Sequence, residues 1–227
     1  MPEIKPAVFE AMMNLVVHDL RNPAATLGAN LSFVDEVLDD ETVDKAEIKD
    51  ALADAQQALH DLKNGLDQLS WIGRWSHERA PVATAVESLR STLERVEARN
   101  KYGALQVEKP LLDVRVRGGD ALERLLELLI ANGHQHAPRT AVTLRTVRDG
   151  GQLVIEVEDQ GRPISPELAE AAFTLEGQTA VKGRAEGRYG RVLGLFCASI
   201  LAQSLGVRLH VIERDKRNVF RVQLESV

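Results

Sequence analysis

Two apolar seams near the N-terminus constrain this chain more than any other feature. Met12, Val16, Leu20, Leu27, Leu31, Val34 and Leu38 recur at spacings of three, four or seven, and Leu52, Ala55, Leu59, Leu62, Leu66 and Leu69 step by three and four. Each series marks one face of a helix packed along a seam. The acidic link between them, Asp39-Asp40-Glu41-Thr42-Val43-Asp44, is short, so the two helices fold back as an antiparallel hairpin. A lone hairpin has too little core to bury both seams, which predicts that two copies pair into a four-helix bundle with two-fold symmetry. Ala55, Ala58 and Gly65 either let the helices approach closely or reflect helix propensity alone. Trp71 and Trp75, near the end of the second helix, read as packing anchors at a domain junction.

The first helix also carries Val17-His18-Asp19-Leu20-Arg21-Asn22-Pro23. His18 lies off the seam. Asp19 beside it can accept an Nδ1 proton and leave Nε2 as the nucleophile, and Asn22 stands one turn later on the same face. Pro23 cannot donate to the Asp19 carbonyl and its ring presses on that turn, so the helix should bend or loosen where the histidine works. A solvated imidazole beside a surface carboxylate is the plain alternative; the proline and the flanking seam favour chemistry on the ring.

Composition bounds the remaining choices. A length of 227 residues suits two modest domains, divided as 1–78 and 79–227, and 44% hydrophobic with 27% charged residues is ordinary for a soluble protein. A net charge of −6 argues against a nucleic-acid surface. No apolar run reaches the length of a membrane span and the N-terminus lacks a signal-peptide core, so a cytoplasmic location without a membrane anchor is expected. The single cysteine, Cys197, excludes an intrachain disulfide, and its apolar helical setting predicts a buried thiol. The first helix begins almost at residue 1, so no sensory segment is expected, and any input is expected from an upstream sensory protein or a cytosolic ligand.

The second half changes rhythm. Val114–Arg117, Ala141–Val147, Leu153–Val157, Val207–Ile212 and Val219–Leu224 read as strands, and Val82–Ala98, Asp120–Ala131 and Val192–Leu205 as helices. Asp149-Gly150-Gly151 between two strands signals a hairpin. The fold class is therefore α+β: a helical hairpin followed by an α/β sandwich with one mixed sheet covered by helices.

Three places in this half can carry chemistry. The apolar helix 125–131 ends in Asn132-Gly133-His134-Gln135-His136-Ala137-Pro138; its two histidines alternate as a metal pair does, but no further ligands are spaced to complete a zinc site. Next, Asp159 ends a strand within Glu158-Asp159-Gln160-Gly161-Arg162-Pro163-Ile164. Such an aspartate can offer its carboxylate to an exocyclic amine while the backbone at Gly161 turns close to a ring, although Asp-x-Gly alone is a common turn. Finally, Lys182-Gly183-Arg184-Ala185-Glu186-Gly187-Arg188-Tyr189-Gly190-Arg191-Val192-Leu193-Gly194-Leu195 leads into an apolar helix. Glycine amides, basic side chains and a helix N-terminus suit phosphates, and a flexible basic surface loop is the alternative.

These motifs resemble those of bacterial two-component sensor histidine kinases over nearly the whole chain. His18-Asp19-Leu20-Arg21-Asn22-Pro23 resembles the H-box, the segment around Asn132 the N-box, Asp159 with Gly161 the G1 box, Phe173 the F-box, and Leu193-Gly194-Leu195 the G2 box behind a mobile ATP lid. The resemblance implies that His18 is the phospho-acceptor, Asp19 its general base and Asn22 the residue that orients a water for dephosphorylation. It further implies that Asn132 ligates Mg²⁺, that Asp159 reads the adenine amino group beside Gly161, and that Lys182, Arg188, Gly190 and Gly194 cradle the phosphates of ATP. The implied protein is a homodimer that phosphorylates itself on His18 and passes the phosphoryl group to an aspartate of a response regulator receiver domain. Leu128, Gln135, Pro163 and Val192 depart from the family pattern at a polar, a lysine and two glycine positions. Those departures keep two alternatives open: a non-catalytic histidine phosphotransfer protein that relays phosphate through His18, and a pseudokinase scaffold.

Overall fold

Helix α1 spans Pro6–Val37 and α2 Lys45–His77. Asp44 opens α2: its Oδ1 accepts the Ala46 N–H at 2.9 Å and its carbonyl accepts that of Glu47 at 2.9 Å, which satisfies donors that a helix start otherwise leaves bare. These and all other elements come from a computed structural model that describes residues 6–38, 44–77, 86–137, 139–174 and 193–224. The chain divides into two units, Pro2–His77 and Glu78–Val227.

In the first unit the small residues serve close packing. A Cβ added at Gly65 would lie 2.5 Å from Leu20 Cδ2, so the two helices touch where a larger residue in α2 would displace Leu20. Val16, Pro23, Ala51, Ala55 and Ala58 are buried along the same line. α1 continues through Pro23 as one helix; the expected loosening does not break it, because the ring is packed inside the hairpin.

Each seam read from the sequence separates into two stripes. Leu31 of α1, Leu38 just past its end, and Leu52, Leu59 and Leu66 of α2, are 39–66% exposed, as is Val17 at 47%. These residues follow steps of seven, which return to one face of a helix, whereas steps of three and four drift across to its neighbour. The inward stripe builds the hairpin, and Val17, Leu31 and Leu38 with Leu52, Leu59 and Leu66 face outward.

The second unit runs β1 (Val86–Ser88), α3 (Leu89–Arg99), β2 (Leu105–Val107), β3 (Arg115–Arg117), α4 (Gly119–His136), β4 (Val142–Asp149), β5 (Gln152–Asp159), α5 (Pro166–Ala169), a 3₁₀ turn at Ala171–Phe173, α6 (Leu193–Leu205), β6 (Arg208–Arg214) and β7 (Arg217–Leu224). The mixed sheet has the order β2-β4-β5-β7-β6, with β2 parallel to β4 and the other pairs antiparallel. Two features correct the sequence reading. The predicted helix Val82–Ala98 starts only at Leu89, since Val86–Ser88 is a strand paired antiparallel with β3 in a separate two-stranded ribbon. β2, three residues long, was not expected. The Asp149-Gly150-Gly151 hairpin joins β4 to β5 with φ +55° and +83° at the two glycines, a turn that an L side chain strains.

The core lies between the sheet and α4, whose Leu122, Leu125, Leu126, Leu128, Leu129 and Ile130 are buried. On β5, Leu153, Ile155, Val157 and Asp159 share one face by alternation. Glu156 and Glu158 take the other and are held by arginines across strands. Arg145 donates to both at 2.8 and 2.9 Å, Arg214 donates to both oxygens of Glu156 at 2.8 Å, and Arg217 reaches Glu158 at 2.7 Å. Behind α4, the buried Glu123 pairs with Arg95 and Arg99 of α3. No helix among the described residues is long and apolar enough to cross a membrane.

Candidate functional site

Asp159 ends β5 on the face against α4 and is 1% exposed. Its Oδ1 accepts the Gly161 backbone N–H at 2.7 Å and Asn218 Nδ2 at 3.0 Å. Its Oδ2 is buried and accepts no hydrogen bond among the described residues. A buried acceptor left bare is costly, and burial pushes the carboxyl above the usual carboxylate range, opposed by the hydrogen bonds from Asn218 and Gly161 and reinforced by Glu158. Among the described residues nothing donates to this oxygen, which leaves it poised for a donor from a ligand.

The surroundings of Asp159 come from three further places. A Cβ added at Gly161 would lie 2.9 Å from Asp159 Oδ1 and 3.2 Å from His136 Cβ, so only glycine lets the loop close there. At Gly133 of α4, an added Cβ would lie 2.8 Å from Val142 Cγ2 and 3.1 Å from Asp159 Cβ. Asn132, buried at 6%, is the next residue along α4. The structure therefore gathers the Asn132 segment and the Asp159–Gly161 segment around one carboxylate. Asn218 of β7, directly across from Asp159 in the sheet register, completes the group. Sequence reasoning missed it, although its alternation with Phe220, Val222 and Leu224 places a carboxamide on a buried face.

His134 and His136 sit in the last turn of α4 and do different things. His134 packs against the backbone of Gly103, where an added Cβ would meet its ring at 2.7 Å, and His136 lies beside Gly161. Burial lowers both pKa values below the usual imidazole range. Phe173 meets Phe220 edge-on with centroids 6.4 Å apart, and its carbonyl accepts the Ser199 hydroxyl of α6 at 3.0 Å. Gly194, in the first turn of α6, is buried, and among the described residues outside its own helix turn no atom lies within 4 Å of an added Cβ. The described residues therefore give no packing reason for a glycine there. Cys197 is buried on the same helix and burial pushes its thiol up to about 12, as expected of an inert cysteine. A groove of about 710 Å³ between α5, α6 and β6 is lined by Phe173, Ala202 and Leu209 but holds none of the charged or carboxamide groups described above.

Lys182, Arg188 and Gly190 lie outside the described residues. In the first unit, His18, Asp19 and Asn22 fall on α1, with Asn22 exposed; for His18 and Asp19, as for Trp71 and Trp75 on α2, the backbone alone is described.

A family model for histidine kinase-, DNA gyrase B-, and HSP90-like ATPases matches residues 118–226. A comparison with curated proteins gave no match. Among solved structures, the chain is similar to the histidine kinase AdeS of Acinetobacter baumannii, at 17% identity and a TM-score of 0.54, over 92% of this chain and 98% of that one. It is similar to the histidine kinase ThkA, solved in complex with the response regulator protein TrrA, at 18% identity and a TM-score of 0.64, over 97% of this chain and 63% of that one. Full-length ShkA in complex with AMPPNP matches at 17% identity and a TM-score of 0.52, over 96% of this chain and 46% of that one. At such identities the likeness is one of fold.

Proposed function

We propose, for a chain whose residues 118–226 match the histidine kinase-like ATPases and whose fold is that of histidine kinases, that it phosphorylates His18 from ATP and passes the phosphoryl group to a receiver-domain aspartate. The observation that carries this reading is the bare, buried Oδ2 of Asp159: a carboxylate oxygen in that setting fits the exocyclic amine of adenine. Asn132 would supply one side-chain oxygen to Mg²⁺, a hard cation that suits an oxygen donor. Lys182, Arg188, Gly190 and Gly194 would hold the phosphate end, where a glycine without a packing role leaves space for close approach. Bound Mg²⁺ neutralises charge on the transferring group, and the chain mainly positions the partners.

In the transfer the bond from the γ-phosphorus to its bridging oxygen breaks, ADP leaves, and a bond forms to His18 Nε2 while Asp19 holds the Nδ1 proton. Asn22, exposed one turn later, would orient water for the reverse loss of phosphate. The outward stripes of α1 and α2 support a homodimer through a four-helix bundle, so that residues 1–78 serve dimerisation and phosphate acceptance and residues 79–227 nucleotide binding. A response regulator as acceptor accords with the complex of ThkA with TrrA. An upstream sensory protein as input and a cytoplasmic location complete the reading.

One observation favours the relay alternative. Leu128, at the position where the resemblance places a polar residue, is 4% exposed within the α4 core, so the nucleotide site has one polar group fewer. Calorimetry with Mg-ATP decides between them. Asp159→Ala should weaken ATP at least roughly tenfold, since a hydrogen bond to a charged group is worth about 1.5–3 kcal/mol. Wild-type protein that binds no ATP at millimolar concentration, yet accepts phosphate from a phosphorylated receiver domain, replaces the kinase reading by the relay.

A further inference from the structure

Among the described residues, Asn218 ties Asp159 to the turn beyond β5 at Arg162 and Ile164. Its Nδ2 donates to Asp159 Oδ1 at 3.0 Å and to the Arg162 carbonyl at 3.1 Å, while its Oδ1 accepts the Ile164 N–H at 2.8 Å. It is 4% exposed, and its strand register puts it straight across from Asp159. Three of the hydrogen bonds a carboxamide can make are therefore spent on holding one carboxylate and the loop that follows it. The consequence for Asp159 is an asymmetry between its two oxygens. Oδ1 receives two amide N–H groups, neither of which gives up its proton near neutral pH, so Oδ1 is fixed as an acceptor and the carboxylate plane is set. Oδ2 alone remains to meet a ligand.

We propose that Asn218 is a positioning residue that makes Asp159 discriminate between 6-amino and 6-oxo purine nucleotides, an inference that rests on the adenine reading of Asp159. With Oδ1 engaged by Asn218 and Gly161, the free oxygen is presented as a bare acceptor. A 6-amino group donates to it, and a 6-oxo group opposes it with a second acceptor. Removing the Asn218 donor leaves Oδ1 held by the Gly161 N–H alone, so the carboxylate can turn about that one hydrogen bond and a proton can settle on either oxygen, and the site can then also donate to a carbonyl. Asn218 touches no ligand in this scheme; it acts through Asp159.

The test compares ATP with ITP, which differ at the purine 6-position, by calorimetry on the full-length protein with Mg²⁺. Two variants separate positioning from simple loop support. Asn218→Leu removes every hydrogen bond. Asn218→Asp keeps the shape and the acceptor for Ile164 N–H but replaces the donor to Asp159 by a second carboxylate, and two adjacent carboxylates do not both ionise readily. Wild type should favour ATP over ITP roughly a hundredfold, the scale of a charged hydrogen bond gained against one opposed. Both variants should reduce that ratio to less than about tenfold. If both weaken ATP and ITP equally and leave the ratio intact, Asn218 is a loop anchor and the inference is overturned. A wild type that binds ATP and ITP equally, or binds neither, overturns the adenine reading and this inference with it.

Discussion

The two units of this chain are incomplete in opposite ways. The helical unit leaves apolar area uncovered: Leu52, Leu59 and Leu66 on α2, and Val17 and Leu31 on α1 with Leu38 just past its end, stand 39–66% exposed in repeating rows. In the α/β unit, Phe220, Leu122, Leu125, Leu126, Leu144 and Ile155 are fully buried, and among the buried polar atoms left without a hydrogen bond between described residues the one carboxylate oxygen is Asp159 Oδ2. Uncovered apolar rows call for a large, shape-matched surface, because each leucine gains about 1.5–3 kcal/mol only when fully covered. A single bare acceptor calls for a small donor placed to within a few tenths of an ångström. One unit is thus suited to assembly and the other to a ligand.

The sharpest way to break this contrast is to charge the outward row. Leu59→Glu should bury an unpaired carboxylate in the bundle and weaken the dimer more than roughly a hundredfold, giving monomers in sedimentation with helicity retained. Leu62→Glu should act differently, because Leu62 belongs to the inward stripe: it should unfold the hairpin and lose helical signal in circular dichroism. A dimeric Leu59→Glu protein, or a monomeric wild type, removes the bundle.

The next effect belongs to the α/β unit alone. Burial would push Glu156 upward, but hydrogen bonds from Arg214 and Arg145 outweigh it and hold the carboxyl at about 2. Its folded value lies below its ordinary 4.5, so the stability it contributes is fully present above that value and is lost as pH falls towards about 2. Glu156→Ala leaves Arg145, Arg214 and Arg221 facing one another and should cost about 3 kcal/mol in urea unfolding at neutral pH. A loss below about 1 kcal/mol would show that the arginines find water instead. The smallest effect is at Gly194. With no atom of the described residues outside its own helix turn within 4 Å of an added Cβ, Gly194→Ala should raise the stability of the α/β unit by up to about 1 kcal/mol. A destabilised variant would contradict the open space beside it.

Much of this architecture is written in local pattern. The β4–β5 hairpin was legible because Gly150-Gly151 names its own turn, and β5 because its apolar alternation ends at Asp159. β1 was hidden because Val86-Glu87-Ser88 runs without a break into the apolar spacing of α3, and only its pairing with β3 makes it a strand. β2 owes its existence to β4 in the same way. The division of each seam into inward and outward stripes depends on where the second helix lies, which spacing alone does not specify. Within the site, Asp159 and Gly161 announced themselves as a strand-end pair, whereas Asn218 lies 59 residues further on and is joined to them only by the sheet register.

On the function we propose, both kinds of incompleteness serve one reaction, the movement of phosphate from ATP to His18. Incubating the purified protein with γ-labelled ATP and Mg²⁺, then testing the label for acid and base stability, addresses it directly. The account predicts acid-labile, base-stable label on wild type, none on His18→Ala, and slower labelling of Asp19→Asn with ATP binding intact. Label that persists on His18→Ala, or a wild type that stays unlabelled while binding ATP, would contradict it.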